Sequence, residues 1–243
     1  MNNLISISGK MGAGKDLLAQ IIRYVNWKRN IIKEGVLFKD SIINFEGWGG
    51  ACSNKNIDYK IKKFADILKD TVCLWINCTR EQLEDRDFKN KPLSKEWDKF
   101  IVNGVLDKVY DYESEAAMEA FKQWGNANMT KIVSMTPRIL LQRLGTEGGR
   151  QSIHQQVWVN TLFANYNKKS KWIITDCRFP NEAVAVAERG GVNLRIVRPS
   201  TEAGVESLHE SEIALDKYTR FDKVFFNDGS IQDLVDQVEE WIK

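Results

Sequence analysis

Residues Ser6 to Leu18 read SISGKMGAGKDLL. Gly9, Gly14 and Lys15 fall at the spacing G-x-x-x-x-G-K of a nucleotide-phosphate loop, but Asp16 stands where a serine or threonine normally follows the lysine. That hydroxyl ordinarily holds the magnesium ion accompanying ATP, so the acid either breaks the match or marks a particular kind of enzyme. The flanks support the match. Leu4, Ile5 and Ile7 form a short apolar run ending at Gly9, which predicts a buried strand entering a glycine turn. Leu17, Leu18, Ile21, Ile22 and Val25 then recur at helical spacing and form one apolar face. Strand, loop and helix are the setting the motif requires.

Each part of GKMGAGK has a physical use. Gly9, Gly12 and Gly14 permit positive φ and close approach of backbone to phosphate, and successive N–H groups make an anion nest. Lys15 supplies a point charge to the terminal phosphates. Asp16 falls in the first helical turn, where its charge suits the helix dipole and where a carboxylate can hold magnesium directly or through water. Its repulsion toward phosphate must be offset by Lys15, Lys10 and the metal.

The 243 residues, 43% of them apolar and eight of them tryptophan, suffice for a sizeable core, and we expect a single domain over 1–243 with insertions. Thirty-five basic against 33 acidic residues leave a formal charge of +2, which gives no reason to expect a stable nucleic-acid or membrane partner. Cys52, Cys73, Cys78 and Cys177 form no C-x-x-C pair, and with His154 and His209 as the two histidines they read as reduced thiols of a cytoplasmic protein. No basic segment leads into an apolar export signal, and no run approaches about 18 apolar residues, so neither export nor membrane spanning is expected.

Along the chain, residues 44–56 (NFEGWGGACSNKN) read as a loop before a strand at Asp58–Phe64, and a helix carries Ile67, Leu68, Val72 and Trp75. A low-glycine run from Glu113 to Trp124 reads as helix. Thr136-Pro-Arg caps a helix expected to stop at Gly145, with a second from about Gly149 to Tyr166. Strands follow at Trp172–Thr175, Val192–Val197 and Val224–Phe226, and helices at Asn181–Glu188 and after the Ser230 cap, where Ile231, Leu234, Val235, Val238 and Ile242 make an apolar stripe. This alternation predicts a three-layer α/β fold, a parallel sheet flanked by helices, with ligands at the carboxyl ends of the strands near Gly9 and Asp176. The core takes in 1–40, 57–78, 168–198 and 221–243, a helical region about 79–167, and a polar segment, 198–220, long enough to be a lid.

A second constellation lies in WIITDCRFPNEA. Asp176 ends an apolar strand, well placed for a magnesium shell or for a plain turn cap; Arg178 follows, able to bind phosphate bidentately or to sit in a surface ion pair. Lys69, Lys89, Lys91, Arg138, Arg143 and Arg150 accompany short punctuating motifs, though most basic residues on helices merely face water. Arg138 stands out behind its cap, near the glycine break at Gly145-Thr146. Trp158 reads as core or as a stacking wall for a base, and Arg198 could reach ATP phosphates from the start of the 198–220 segment, in which His209 and Glu210 would pin a lid or face solvent.

Taken in order, GKMGAGKD, FADILKD, TREQLEDRDFKNKPL, TPRILLQRLGTE, DCRFPNEA, VRPS, LHESE and NDGS resemble the deoxynucleoside monophosphate kinases encoded by bacteriophages, which share G-K-D with phosphomevalonate kinases. The resemblance implies ATP binding by Gly12, Ala13, Gly14, Lys15 and Asp16. It implies deoxynucleotide binding by Lys69, by a basic residue near Lys89 to Lys91, and by Arg138, Gly145, Thr146 and Trp158, with Asp176 and Arg178 where the two sites join. Leu17 stands where some relatives carry threonine, and residues 44–56 resemble an insertion. A homodimer is compatible with the family, as is a host cytoplasm for a phage-encoded enzyme.

The mechanism so implied is in-line transfer of the ATP γ-phosphoryl group to a deoxynucleoside 5'-monophosphate, assisted by Mg2+ on Asp16 and Asp176. The acceptor phosphate, with a second pKa near ~6, needs no general base. Lys15, Arg138, Arg178 and a lid arginine would neutralise the transferred group. Two other readings stay open: a kinase for another phosphorylated small molecule, phosphomevalonate-like, and a nucleic-acid-linked ATPase, against which the lack of a basic stripe interleaved with aromatics speaks.

Overall fold

The structure, a computed structural model, describes residues 2–34, 44–51, 58–102, 105–106, 129–202 and 213–243. In chain order its elements are β1 (Leu4–Ser8), α1 (Lys15–Lys33), α2 (Phe45–Ala51), β2 (Lys60–Lys62), α3 (Asp66–Ile76), α4 (Arg80–Glu84), α5 (Arg86–Asn90), β3 (Lys99–Val102), β4 (Val105–Leu106), β5 (Met129–Val133) and α6 (Pro137–Arg143). A π-helical stretch, Leu144–Ile153, follows, then α7 (Val157–Phe163), β6 (Trp172–Ile174), α8 (Pro180–Glu188), β7 (Val192–Val197), α9 (Pro199–Glu202), β8 (Lys223–Phe226) and α10 (Ile231–Ile242). The expected helix at Glu113–Trp124, His209, Glu210 and most of the expected lid lie outside the described residues. Two compact units result: Met1–Asp66 with Gln156–Lys243, and Ile67–Gln155.

The first unit is built on a parallel sheet in the order β2-β6-β1-β7-β8. Leu4 pairs with Trp172, Ile7 with Leu194 and Ile196 with Phe225. Alternation along each strand feeds two separate cores, as a sheet covered on both faces requires. Ile5, Ile7, Ile173, Leu194, Ile196 and Phe225 pack with Leu18, Ile21 and Ile22 of α1 and Leu234, Val235 and Val238 of α10. Leu4, Trp172 and Ile174 face the other way, with Val159 and Phe163 of α7 and Ala183 and Val186 of α8. Helix, sheet and helix thus form the three-layer α/β arrangement expected from the sequence. The cap of α10 forms as expected: Asp233 donates its N–H to Ser230 Oγ at 3.2 Å and accepts from the Ser230 N–H at 2.7 Å.

The loop expected at 44–56 instead contains α2. Asn44 Oδ1 accepts from the Gly47 N–H at 2.9 Å, and the Phe45 and Trp48 rings pack on Tyr24, with Trp48 also against Trp27. Burial of this aromatic group outweighs the poor helix propensity of Gly47, Gly49 and Gly50.

In the second unit, β4-β3-β5 form a small antiparallel sheet, and Val72, Cys73, Leu83, Met135 and Leu140 make the core. The Thr136 hydroxyl caps α6 by accepting from the Ile139 N–H at 3.2 Å. The helix does not stop at Gly145; it widens into π turns, in which Arg150 donates to Gly145 O at 2.8 Å and Ser152 to Glu147 O at 2.7 Å. These side chains satisfy carbonyls that a helix end would leave open. The helix expected from Gly149 to Tyr166 begins, as an α-helix, only at Val157 and ends at Phe163.

Gly9 shows how tightly the loop sits on the sheet. A Cβ there would lie 2.6 Å from the carbonyl oxygen of Ile196 and 2.9 Å from its Cγ2. The obstacle is backbone of the neighbouring strand, so Gly9→Ala should cost about 1–3 kcal/mol of unfolding free energy, read as a lowered urea midpoint at unchanged slope.

Candidate functional site

The phosphate loop leaves β1 and enters α1 with Gly12 at φ 81° and Gly14 at φ 101°, left-handed conformations that glycine alone adopts freely. Ala13 donates its N–H to Lys10 O at 3.2 Å, and its own carbonyl accepts from Asn227 Nδ2 at 2.9 Å. Asn227 is held in turn by its N–H on Val197 O at 2.8 Å. Beside Gly12 lies Thr201 of α9, whose Cγ2 would be 3.6 Å from an added Cβ. Arg198, just ahead of α9, is exposed, and its carbonyl accepts from the Thr201 N–H at 2.9 Å.

Lys15 folds back along the loop, donating to Gly9 O at 2.7 Å and Lys10 O at 2.8 Å. Burial, then the charges of Arg178 and Arg195, lower its pKa to about 8, although Asp16 and Asp176 favour the charged form. An ammonium so placed gains when an anion arrives. Lys10, expected to offset phosphate charge, instead pairs with Asp216 through contacts of 2.7 and 2.5 Å and is buried. Its charge is therefore already paired. Asp16 projects into solvent, 70% exposed, with Lys63 Nζ 3.3 Å from its carboxylate.

At the end of β6, Asp176 accepts from the Phe64 N–H at 2.8 Å and the Ala65 N–H at 3.0 Å, which ties β6 to the turn after β2. Burial raises its pKa against those hydrogen bonds and the nearby Arg178 guanidinium. The Arg178 backbone is fixed by Glu182, whose carboxylate accepts the N–H groups of Arg178 at 2.7 Å and Phe179 at 3.1 Å ahead of the proline that opens α8. Asp16 and Asp176 offer hard carboxylate oxygens of the kind magnesium prefers. Among the described residues no group of three or more potential metal ligands occurs. Magnesium carried on a triphosphate fits one or two carboxylates and needs no larger protein cage.

The second unit gathers another charge cluster. Lys69 on α3 lies 2.6 Å from Glu84, and Lys89 on α5 lies 3.3 Å from the same carboxylate, which Arg80 approaches at 3.7 Å. Burial pushes the Glu84 pKa up, but the two lysines outweigh it and the net shift is downward. Arg138 donates through Nε to Asn90 Oδ1 at 2.8 Å, which places it beside the end of α5. Lys91 is exposed just past that helix. Gly145 is buried, with Leu68 Cδ2 3.3 Å from where a Cβ would stand, and Thr146 follows it half-buried in the π turn. The expected deoxynucleotide-binding residues thus divide: Lys69, Lys89, Lys91, Arg138, Gly145 and Thr146 belong to the second unit, while Trp158, 8% exposed on α7, Asp176 and Arg178 belong to the first.

Sequence reasoning missed Arg195, Asp216 and Asn227. Arg195 donates to Ser8 Oγ at 2.9 Å and lies 3.4 Å from Asp216. No local signal marks these residues, save that Asn227 directly follows β8 within NDGS. Glu182 was legible as the third residue of a helix opened by Pro180.

The family model described as deoxynucleotide monophosphate kinase matches residues 41–238. A deoxynucleoside-5'-monophosphate kinase of Escherichia phage T5 is 32% identical over 259 aligned positions, covering 94% of this chain and 92% of the relative. A protein of Acanthamoeba polyphaga mimivirus, provisionally described as a deoxynucleotide monophosphate kinase, is 30% identical over 117 positions, 42% of this chain and 59% of its own length. Among the described residues no helix is long and apolar enough to cross a membrane. The family match spans most of the chain, and the phage alignment extends the likeness to 94% of it, so this chain, with its G-K-D loop, belongs to the deoxynucleotide monophosphate kinase family.

Proposed function

We propose that the protein transfers the γ-phosphoryl group of ATP to the 5'-phosphate of a deoxynucleoside monophosphate, yielding ADP and a deoxynucleoside diphosphate. The observation that carries this reading is the phosphate loop: two left-handed glycines, a buried-edge lysine resting on loop carbonyls, and a carboxylate at the next strand end. Lys15 leaves Gly9 O and Lys10 O for the phosphates, and Arg178 adds a second positive charge. The acceptor phosphate is largely ionised at neutral pH, with a second pKa of about 6, so positioning and charge suffice without a general base. Magnesium, when bound, screens the triphosphate charge; Asp16 and Asp176 are the residues that would hold it. Lys69 and Lys89 bind the acceptor phosphate, which replaces the Glu84 carboxylate as their partner.

The reading is tested by coupled ADP release across deoxy and ribo monophosphates. ADP formation that depends on a deoxynucleoside monophosphate is expected; ATP turnover indifferent to every monophosphate overturns it. Lys69→Met should raise the acceptor KM about tenfold, since a charge-assisted hydrogen bond to phosphate contributes about 1.5–3 kcal/mol. The KM for ATP should change less than about twofold, as Lys69 serves the acceptor alone.

A further inference from the structure

Three buried side-chain atoms among the described residues have no hydrogen-bond partner: Arg23 Nε, Trp48 Nε1 and Thr175 Oγ1. The first belongs to the middle of α1 and the second to the aromatic packing of α2. Thr175 is different in place and chemistry. It directly follows β6, is 2% exposed, and keeps its backbone in the sheet through its N–H on Lys62 O at 3.2 Å. A hydroxyl shut away from water with no partner is costly, and a valine would fill the same space without that cost.

The fold fixes the face that Thr175 occupies. Ile173 packs with Ile5, Ile7 and Leu18 on the α1 face, while Trp172 and Ile174 pack on the opposite one. Two residues beyond Ile173, Thr175 continues the α1 face. The first turn of α1 spans the end of that face: Lys15 reaches the carbonyls of Gly9 and Lys10 after β1, and Asp16 meets Lys63 after β2. In the sheet order β6 lies between β1 and β2, so its end, with Thr175 and Asp176, lies between the strand ends after which come Gly9 and Lys10, met by Lys15, and Lys63, met by Asp16. The loop lacks the hydroxyl usual at position 16, and an uncommitted hydroxyl stands just past the end of the neighbouring strand.

We propose that Thr175 supplies to the metal of a bound metal–ATP complex the hydroxyl ligand that Asp16 cannot. This rests on the ATP-binding reading above. The neutral hydroxyl would add an oxygen ligand without adding negative charge against the triphosphate.

The test uses Thr175→Val and Thr175→Ser in the full chain, with Mn2+ as the metal. Mn2+ binding to the ATP-saturated protein is followed by electron paramagnetic resonance, and binding of ATP alone in EDTA by calorimetry. Thr175→Val should weaken Mn2+ binding about tenfold, the low end of effects seen for groups that shape a metal shell. It should leave metal-free ATP affinity within about twofold and melt no lower than wild type, because the orphaned hydroxyl is gone. Thr175→Ser should restore Mn2+ binding. Unchanged Mn2+ affinity in Thr175→Val, an equal loss for metal-free ATP, or failure of serine to restore the metal each overturns the proposal. Should the valine variant not fold, Thr175→Ala carries the same comparison. Wild-type protein that binds no ATP removes the underlying reading as well; wild-type ATP binding with an indifferent valine variant removes only the role of Thr175.

Discussion

Lys15→Met should lower kcat by about 10²–10³-fold, the range for removing one preorganised charge from a developing transition state, and should leave the protein at least as stable as wild type near neutral pH. Both halves follow from the same contacts. Lys15 rests on two loop carbonyls in a half-buried position, where desolvation and two arginines lower its pKa from 10.5 to about 8. The folded protein therefore holds this cation at a cost that methionine does not incur. In the unfolded chain the lysine keeps its proton until about pH 10.5, so between about pH 8 and 10.5 the unfolded state binds more protons. Wild-type stability, measured against Lys15→Met, should rise across that window. ATP reverses the shift by supplying phosphate charge. At pH 8 wild-type protein should thus take up about half a proton on binding ATP, read from calorimetry in buffers of different ionisation enthalpy, and Lys15→Met should take up none. A Lys15→Met variant with full kinase activity would falsify the assignment of the loop.

How much of this was legible depended on distance along the chain. The phosphate loop, the strand before it and α1 are contiguous, so local pattern was enough to read all three. Asp176 was legible as a carboxylate after an apolar strand, and the caps of α6 and α10 were legible because Thr136 and Ser230 act within three residues. What could not be read is held by contacts that local periodicity does not encode. Arg195 meets Ser8 across 187 residues, Lys10 meets Asp216 across 206, and Asn227 supports Ala13 across 214. Lys10 illustrates the consequence: from the sequence it is expected to help offset the charge of Asp16 toward phosphate, and its partner, Asp216, comes from the far end of the chain. The glycines misled in a related way. At Gly47, Gly49 and Gly50 they predicted a loop, yet Phe45 and Trp48 gain more by packing on Tyr24 than the helix loses. At Gly145 they predicted a stop, yet Arg150 and Ser152 satisfy the carbonyls and the turns continue.

Asp176→Asn separates the catalytic use we propose for this carboxylate from its structural use. Its two oxygens each accept one backbone N–H, from Phe64 and Ala65, so an amide keeps one acceptor and turns an NH2 group toward the other donor. Leaving that donor unmet costs about 1–3 kcal/mol. Against this, burial raises the Asp176 pKa, so the fold holds the charged carboxylate at a cost that asparagine does not incur. The two effects oppose each other, and the unfolding free energy at pH 7 should stay within about 1 kcal/mol of wild type, while kcat falls about 10²-fold or more through loss of the metal-holding charge. The pH dependence fixes the sign. The folded-state pKa is the higher one, so the folded wild type binds the extra proton, and as pH falls through that value its stability rises relative to Asp176→Asn. Urea unfolding at pH 5 and pH 7.5 together with magnesium-dependent turnover checks both predictions. Full turnover in a stable Asp176→Asn would reduce Asp176 to a tie between β6 and the turn after β2, whereas a stable variant without turnover places it in the chemistry.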